Sequence, residues 1–174
     1  YIAGVNRRLC GLAGEVCDGF HAHPFHSTRY LGEAVLPWIE QGLAESGRSR
    51  SDFQVCVSVF TIVGQDEERE QAPTETRKQL AFYASTPSYR TLLELHGWEE
   101  IGHALSLLAT RGKWDEMGAL ITDDMLAQFT VEAETLAAAV TLIAKRYAGL
   151  ADRVALYTPF VPGERDPEWE AAIA

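Results

Sequence analysis

The sequence predicts an α/β fold built on a parallel sheet. Four short segments rich in β-branched and aromatic residues alternate with longer segments whose apolar residues recur at helical spacing. Strands that alternate with helices in this way form parallel sheets with right-handed crossovers. Four parallel strands do not close a barrel, whereas eight do. The residues alone therefore predict either a small open sheet or half of a (β/α)8 barrel.

The first strand–helix–strand unit lies at the start of the chain. Tyr1–Gly4 is predicted to be the end of a buried strand, and Val5–Arg8 a tight turn that places two arginines at a helix start. The helix continues to Asp18-Gly19, and Phe20–Phe25 forms the second strand. Because the chain opens inside a core strand, we expect it to be a piece of a larger fold.

The later elements follow from the same periodicities. Ser27 or Thr28 caps a helix that ends near Gly47 and is kinked at Pro37. The sequence then predicts a third strand at Phe53–Val63, a helical region around Leu80–Leu95 broken at Pro87, helices at Glu99–Ala109, Trp114–Ile121, Asp123–Phe129 and Val131–Tyr147, and a fourth strand at Val154–Tyr157. From Pro159 onward the chain is predicted to be an acidic tail anchored by Trp169.

Composition and charge exclude some classes of partner. The 174 residues carry a formal net charge of −10. Nucleic-acid grooves and anionic membrane surfaces both attract proteins with an excess of Lys and Arg, so neither is expected as a partner. No apolar run approaches the ~20 residues that cross a bilayer. The three cysteines, Cys10, Cys17 and Cys56, are predicted to be reduced thiols of a cytoplasmic protein.

The turn after the first strand is the best candidate for an anion site. It consists of Gly4, Val5, Asn6, Arg7 and Arg8. Gly4 would let the backbone approach a phosphate, the N–H groups at a helix start are free, and the arginines would add charge-assisted hydrogen bonds. An ordinary turn with two solvated arginines would have the same composition, so both interpretations stay open here.

The densest titratable cluster contains His21, His23 and His26. In a strand, His21 and His23 point to the same face, which makes them candidates for contact with a cofactor or substrate. A His-x-His pair on a barrel strand is also a geometry of metal-dependent hydrolases. The predicted last strand offers no carboxylate to complete such a site, so no metal is expected. Packed or solvated histidines are the third interpretation.

The start of the chain resembles the luciferase-like monooxygenase superfamily. That family has a signature of strand, turn and Leu-Ala-Gly-Glu-x-x-Asp-Gly. Tyr1–Gly4, followed by Leu12–Glu15 and Cys17–Phe20, is similar to it in order and spacing.

Later segments resemble the branch of this family that uses the deazaflavin coenzyme F420. Gln79–Arg90 and Leu95–Trp98 are similar to a stretch of that branch, and Asp152–Tyr157 is similar to its last barrel strand. The resemblance extends to about Phe160 and covers the C-terminal half of such an enzyme.

The resemblance implies a (β/α)8 barrel of the TIM type, with the four predicted strands as the fifth to eighth. Residues 1–160 would be the C-terminal half of the barrel, and residues 161–174 a C-terminal tail. It further implies an oxidoreductase that uses F420, or alternatively FMN, for hydride transfer or monooxygenation of a small organic substrate. The turn at Gly4–Arg7 would approach the cofactor phosphate, and His21 and His23 would face the pocket mouth.

The chain departs from the family pattern in one turn. Family members often have Gly-Thr/Ser-Pro-Glu before the last helix, where this chain has Phe129–Glu134. The family's first four strands, which carry much of the isoalloxazine and substrate pocket, would lie outside the chain. The catalytic residues are therefore not assigned, and the chain alone is expected to be inactive.

Two other functions stay open from the sequence: a metal-dependent hydrolase that uses His21 and His23, and a non-catalytic half-barrel that serves binding or assembly. A half-barrel would leave the first and last strands without outer neighbours, and such edges pair with other chains. The chain is therefore expected to form a homo-oligomer or to pair with the missing N-terminal half.

Overall fold

The computed structural model describes residues 1–64, 67–158, 162–163 and 166–173. The predicted boundary between residues 1–160 and 161–174 lies outside these residues. Among the described residues the strands are β1 (Ile2–Gly4), β2 (Gly19–Ala22), β3 (Gln54–Val63), β4 (Thr130–Ala133) and β5 (Arg153–Tyr157).

The helices confirm most of the predicted order. They are α1 (Arg7–Val16), α2 (Thr28–Tyr30), a π-helical segment (Leu31–Val35), α3 (Leu36–Glu45), α4 (Glu67–Ala84), α5 (Arg90–His96), α6 (Glu99–Thr110), α7 (Trp114–Met117), α8 (Asp123–Phe129), α9 (Leu136–Tyr147) and α10 (Asp166–Ile173). Short 3-10 turns lie at Arg50–Asp52, Pro87–Tyr89 and Gly118–Leu120. Ser27 caps α2 by accepting the N–H of Tyr30, as predicted. The kink at Pro37 stays a prediction; the structure places Pro37 in the first turn of α3, directly after the π-helical segment.

The strand pairs of the sheet are all parallel. β1 pairs with β2, and β2 pairs with the first residues of β3. β5 pairs with Cys56–Phe60 of β3, and β4 pairs with Phe60–Val63. Because Cys56 and Val57 each pair with both β2 and β5, these two strands lie on opposite edges of β3. The predicted α/β class with a parallel sheet is confirmed.

The segment Val131–Tyr147 was wrongly predicted to be one helix. Its first residues belong to β4, and α9 begins at Leu136 after the cap residue Thr135, whose hydroxyl accepts the N–H of Ala138. The β-branched Thr130 and Val131 pair with the end of β3, which outweighs the helical preference of the alanines that follow. Residues 129–133 are thus the end of α8 and a strand, and the described residues form a sheet of five strands where four were predicted.

The helix α1 packs against α3 at very short range. A Cβ atom at Gly14 would lie 2.3 Å from the carbonyl oxygen of Ile39, and one at Gly42 would lie 2.1 Å from that of Gly11. Real Cβ atoms do not approach other atoms so closely, so both positions require glycine. The contact fixes α1, and with it the turn after β1, against the rest of the molecule.

The two faces of the sheet have different surroundings. Val55, Val57 and Val59 are almost completely buried on the face that the helices cover. The residues that alternate with them belong to the opposite face, which we call the inner face. Strand register assigns to it Tyr1, Ala3, His21, Gln54, Cys56, Ser58, Arg153, Ala155 and Tyr157. Tyr1, Ala3, His21, Arg153, Ala155 and Tyr157 are exposed or nearly so, as expected for part of a barrel that lacks the strands opposite.

Candidate functional site

The candidate site lies at the carboxyl end of the parallel strands, where α/β proteins bind their ligands. Three parts of the chain reach this edge. They are the turn after β1, the segment that follows β2, and the pair formed by the end of β5 with α4.

The turn after β1 is held by three hydrogen bonds. Asn6 caps α1: its Oδ1 accepts the N–H of Leu9 at 3.1 Å, and its carbonyl accepts the N–H of Cys10 at 3.0 Å. The hydroxyl of Tyr30 donates to the carbonyl of Val5 at 2.6 Å. The N–H groups of the first turn of a helix have no acceptor within the helix. Those of Arg7 and Arg8 therefore remain available to an anion at the mouth of this turn.

Gly4 is required by packing. A Cβ atom there would lie 2.8 Å from the Cβ of Leu9 and 3.3 Å from the ring of Phe20. This close contact accounts for the glycine without any ligand, so the residue by itself does not distinguish the two interpretations of the turn.

The predicted arginines are exposed and lie beside α3. The Nη2 of Arg7 donates to the Oε1 of Gln41 at 3.1 Å. Both Arg7 and Arg8 line a shallow cavity between α1 and α3 that also contacts Trp38. An anion at the start of α1 would have to compete with Gln41 for the Arg7 guanidinium.

The strand predicted at Phe20–Phe25 ends earlier than expected, at Ala22. Pairing with β3 stops at Val57, and Pro24 has no N–H to continue it. His21 is inside the strand and exposed on the inner face, with its ring 5.7 Å from that of Tyr1. His23 lies after the strand, so the alternation of side chains along a strand does not place it on the same face as His21. The two histidines contact different aromatic side chains.

His23 lies in an aromatic cluster. Its ring centroid is 4.7 Å from that of Tyr83 and 5.1 Å from that of Tyr89. Its Nδ1 accepts the N–H of Phe25 at 3.1 Å, which places the proton of the neutral ring on Nε2. Burial lowers the pKa of His23 from its ordinary value, so the ring is neutral at pH 7. A neutral imidazole with a defined Nε2–H can donate one hydrogen bond to a ligand.

An amide bridge joins α4 to the last strand. Gln79 Nε2 donates to the hydroxyl of Tyr83 at 3.1 Å and to that of Tyr157 at 2.7 Å. Burial raises the pKa of Tyr83, so its hydroxyl stays protonated at neutral pH. Sequence analysis assigned none of these three residues to the site. The spacing of four residues between Gln79 and Tyr83 indicates from the sequence that they share a helix face. Nothing in the sequence indicates that Gln79 contacts Tyr157.

His26 lies in the core behind the aromatic cluster. Its Nδ1–H donates to the carbonyl of His23 at 2.7 Å, and its Nε2 has no hydrogen-bond partner among the described residues. Complete burial lowers the pKa of His26 to about 4. The ring is therefore neutral at physiological pH, and it contacts the buried Tyr147 edge-on at 5.6 Å. This residue positions the His23 backbone and does not itself reach the surface.

Metal ligands do not converge in the part of the chain that the structure describes. Among those residues no group of three or more His, Cys, Asp and Glu side chains could hold a metal ion. Cys10, Cys17 and Cys56 are free thiols. Within the same residues, no helix is long and apolar enough to cross a membrane.

Comparison with known proteins identifies the family. The model of the luciferase-like monooxygenase family matches residues 1–153. The chain belongs to this family. An uncharacterized protein of Mycobacterium tuberculosis is 45% identical to this luciferase-like protein over 157 residues, which are 88% of this chain and 45% of the relative. The 5,10-methylenetetrahydromethanopterin reductase of Archaeoglobus fulgidus is 29% identical over 137 residues, covering 75% of this chain and 40% of the relative.

A solved structure supports the fold. The coenzyme F420-dependent tetrahydromethanopterin reductase of Methanopyrus kandleri superposes with a TM-score of 0.68 at 23% identity, over 98% of this chain and 46% of that chain. The luciferase-like chain thus has the fold of part of a TIM barrel, and it spans less than half the length of these relatives.

Proposed function

We propose that this luciferase-like chain is the cofactor-phosphate-binding half of an F420-dependent oxidoreductase of the cytoplasm that acts on a small organic substrate. FMN is the alternative cofactor. The single observation that carries the proposal is the turn after β1. There, the free N–H groups of Arg7 and Arg8 lie at the start of a ten-residue helix whose first two side chains are exposed arginines, inside the segment matched by the family model.

The residues of this turn fit an anionic group. Asn6 satisfies Leu9 and leaves the two preceding N–H groups free, and the bond from Tyr30 to Val5 holds the turn in place. The helix dipole adds partial positive charge at the same point. Names of relatives support the choice of coenzyme, since a solved neighbour is described as F420-dependent. When bound, the coenzyme supplies the hydride chemistry, and the protein supplies orientation and electrostatics.

The aromatic cluster would orient the reacting partners. His23 is neutral and holds a proton on Nε2, and the hydroxyls of Tyr83 and Tyr157 are joined through Gln79. All three groups can form hydrogen bonds with a ligand, and His23 and Tyr83 do so without changing charge near pH 7. In this proposal they line the wall of a pocket completed by strands outside this chain.

The two other functions are not favoured. A hydrolase that uses His21 and His23 would need further ligands. No group of three is found among the described residues, and the two rings contact different neighbours. A purely structural half-barrel finds no support in relatives whose names denote reductases.

The experiment is a cofactor titration of a chimera in which this chain replaces the matching segment of the Mycobacterium tuberculosis relative. We expect F420 to bind more tightly than FMN. Replacing Arg7 and Arg8 with Ala should weaken binding about 10-fold or more per lost charge-assisted bond, each being worth ~1.5–3 kcal/mol. Arg111→Ala, an exposed arginine at the end of α6, is the matched control.

Each result of the titration has a defined meaning. Tighter binding of FMN would show that FMN, not F420, is the preferred cofactor. Binding that is equal in the double variant and the control would refute the role of the turn. A chimera that folds and binds neither cofactor would refute the proposed function, and stoichiometric metal in the purified protein would revive the hydrolase.

A further inference from the structure

The last turn of α5 is tied to the cap of α2 by a buried hydrogen bond. Ser27 Oγ lies 2.7 Å from the Nε2 of His96, a residue 69 positions away in the chain. The same Oγ accepts the backbone N–H of Tyr30 at 3.0 Å and so caps α2. Ser27 is completely buried, so water does not compete for its hydroxyl. The bond joins the segment between β3 and β4 to the segment that follows β2.

The direction of this hydrogen bond follows from the needs of the Ser27 hydroxyl. Its oxygen already accepts the N–H of Tyr30, and its proton needs an acceptor, because a buried hydroxyl without one is costly. Among the described residues, the acceptor within reach is the Nε2 of His96. Burial lowers the pKa of His96 from its ordinary value, so the ring is neutral at pH 7. His96 therefore carries its proton on Nδ1 and accepts from Ser27 on Nε2.

Tyr30 continues the connection from the cap of α2 to the turn after β1. Its N–H is held by Ser27, and its hydroxyl donates to the carbonyl of Val5 at 2.6 Å. The side chain is buried, and its ring packs edge-on against that of Trp38 at 6.0 Å. Burial raises the pKa of Tyr30, so the hydroxyl keeps its proton and remains a donor at neutral pH. Both ends of this residue are thus fixed, one by the cap and the other by the turn.

The carbonyl of Val5 belongs to the same planar peptide unit as the N–H of Asn6. A rotation of this peptide that releases the Tyr30 hydroxyl would therefore also turn Asn6. The side chain and carbonyl of Asn6 hold Leu9 and Cys10 in the first turn of α1. Hydrogen bonds from N–H groups to an oxygen anion need distances of about 2.7–3.2 Å, so small rotations matter. The geometry that the turn offers to an anion therefore depends on Tyr30.

The other end of the connection is held by packing. The His96 ring stacks on that of Trp98, with centroids 4.3 Å apart and 11° between the planes. The intervening Gly97 has a φ of 72°, a left-handed conformation that ends α5 and brings the two rings together. Leu92 and Leu93 anchor the same helix in the core, where both are almost completely buried. The position of α5 therefore fixes His96, and through it the cap of α2.

We propose that His96 and Tyr30 are positioning residues for the anion site after β1, connected to each other through Ser27. The inference rests on the proposed function, which supplies the anionic group, while both residues act through the turn. It gives the segment between β3 and β4 a second role besides its part in the aromatic cluster. That segment sets the geometry of a turn that follows β1, two strands away from β3 in the sheet. Both residues should affect binding of a phosphate and not of a deazaflavin ring.

The test compares coenzymes with and without their phosphate in the chimera with the Mycobacterium tuberculosis relative. The probes are F420 and its deazaflavin part without the phosphate, and FMN and riboflavin serve in the same way if the flavin binds more tightly. Tyr30→Phe and His96→Leu should each weaken binding of F420 at least about 5-fold, the lower end of the coupling seen between two sites. Affinity for the phosphate-free deazaflavin should not change, whereas a residue that only stabilises the fold would weaken both probes.

Three matched variants sharpen the comparison. His96→Gln retains an acceptor for the Ser27 hydroxyl and should bind F420 as the wild type does. Tyr147→Phe changes another buried tyrosine, outside the connection, and should affect neither probe. The double variant of Tyr30→Phe and His96→Leu should lose little more than either single variant, because both remove the same connection. Circular dichroism of every variant separates lost binding from lost fold.

Amide hydrogen exchange tests the same connection without a coenzyme. The N–H groups of Leu9 and Cys10 are bonded to Asn6, so they report whether the turn is held. In the unliganded chimera both should exchange faster in Tyr30→Phe and His96→Leu than in the control. Unchanged exchange at these amides, equal weakening of the two probes, or additive losses in the double variant would each overturn the proposal. A chimera that binds no coenzyme would refute the proposed function alone, and the exchange rates would then decide this inference.

Discussion

The buried His26 should make the stability of this protein depend on pH. In an unfolded chain a histidine takes up a proton as the pH falls through about 6.5. In the folded protein complete burial keeps the ring neutral until about pH 4. Its contribution to stability is therefore fully present above pH 6.5 and is lost as the pH falls from 6.5 towards 4.

The magnitude follows from the difference between the two pKa values. A difference of roughly 2.5 units at ~1.36 kcal/mol per unit gives about 3.4 kcal/mol below pH 4. At pH 5.5 the expected loss is about 1.4 kcal/mol relative to pH 7.5. The lower pH of 5.5 is above the pI of about 4.9, so the protein keeps enough net charge to resist aggregation during the measurement.

Urea unfolding at pH 7.5 and 5.5 measures how much His26 contributes to the pH dependence of stability. The wild-type free energy of unfolding should fall by about 1.4 kcal/mol more than that of His26→Gln, whose amide can still donate to the carbonyl of His23. His103→Gln removes an exposed histidine and should retain the wild-type loss. If His26→Gln loses as much stability between the two pH values as the wild type does, the ring is not held neutral and the reasoning fails.

Two further substitutions test the packing and the strand anchor. Gly14→Ala should destabilise the protein by about 1–3 kcal/mol, because the new Cβ would clash with the carbonyl of Ile39. The control is Gly11→Ala, where the nearest atom to the new Cβ is 3.9 Å away. This variant should stabilise the protein by about 0.5–1 kcal/mol, because alanine is preferred over glycine within a helix. Equal thermal midpoints for the two alanine variants would contradict this account of α1. Asp152→Ala should cost about 1–3 kcal/mol in urea unfolding, because it removes an acceptor from a backbone N–H and an arginine. Asp18→Ala, in a surface ion pair, should cost under about 1 kcal/mol, and a loss as large as that of Asp152→Ala would refute the anchor.

The stability that Asp152 provides should also be lost in acid. Burial alone would raise the pKa of Asp152, but the N–H of Val55 and the Arg50 guanidinium outweigh it and hold the pKa below its usual value. Its contribution is present above the unfolded pKa and is lost as the pH falls through the folded one.

Local periodicity was sufficient to predict most elements of the fold. The β-branched run of β3 and the apolar spacing of α1 are properties of contiguous residues, and both elements form where the sequence predicts them. β4 was missed because Thr130 and Val131 become a strand through pairing with Phe60–Val63, some seventy residues earlier. A pairing between such distant residues cannot be predicted from the residues next to Thr130 and Val131 alone.

The candidate site was predicted less completely for the same reason. Gly4, Asn6 and Arg7 belong to one turn, which the sequence located correctly, although packing against Leu9 accounts for the glycine. The end of β2 depends on its partner strand, so the position of His23 was misjudged. The bond between Gln79 and Tyr157 joins residues 78 apart, and only the folded chain brings them together.

The ten residues of β3 have a consequence for how this chain folds. β3 pairs with β2, β4 and β5, so it is the common partner of strands drawn from both ends of the chain. β5 cannot join the sheet until almost a hundred intervening residues have closed into a loop, and such long-range closure is slow. The amide protons of β3 should then exchange slowest, since exposing them requires its neighbours to separate as well. During synthesis β1, β2 and β3 would all be complete for a long interval before β5 emerges.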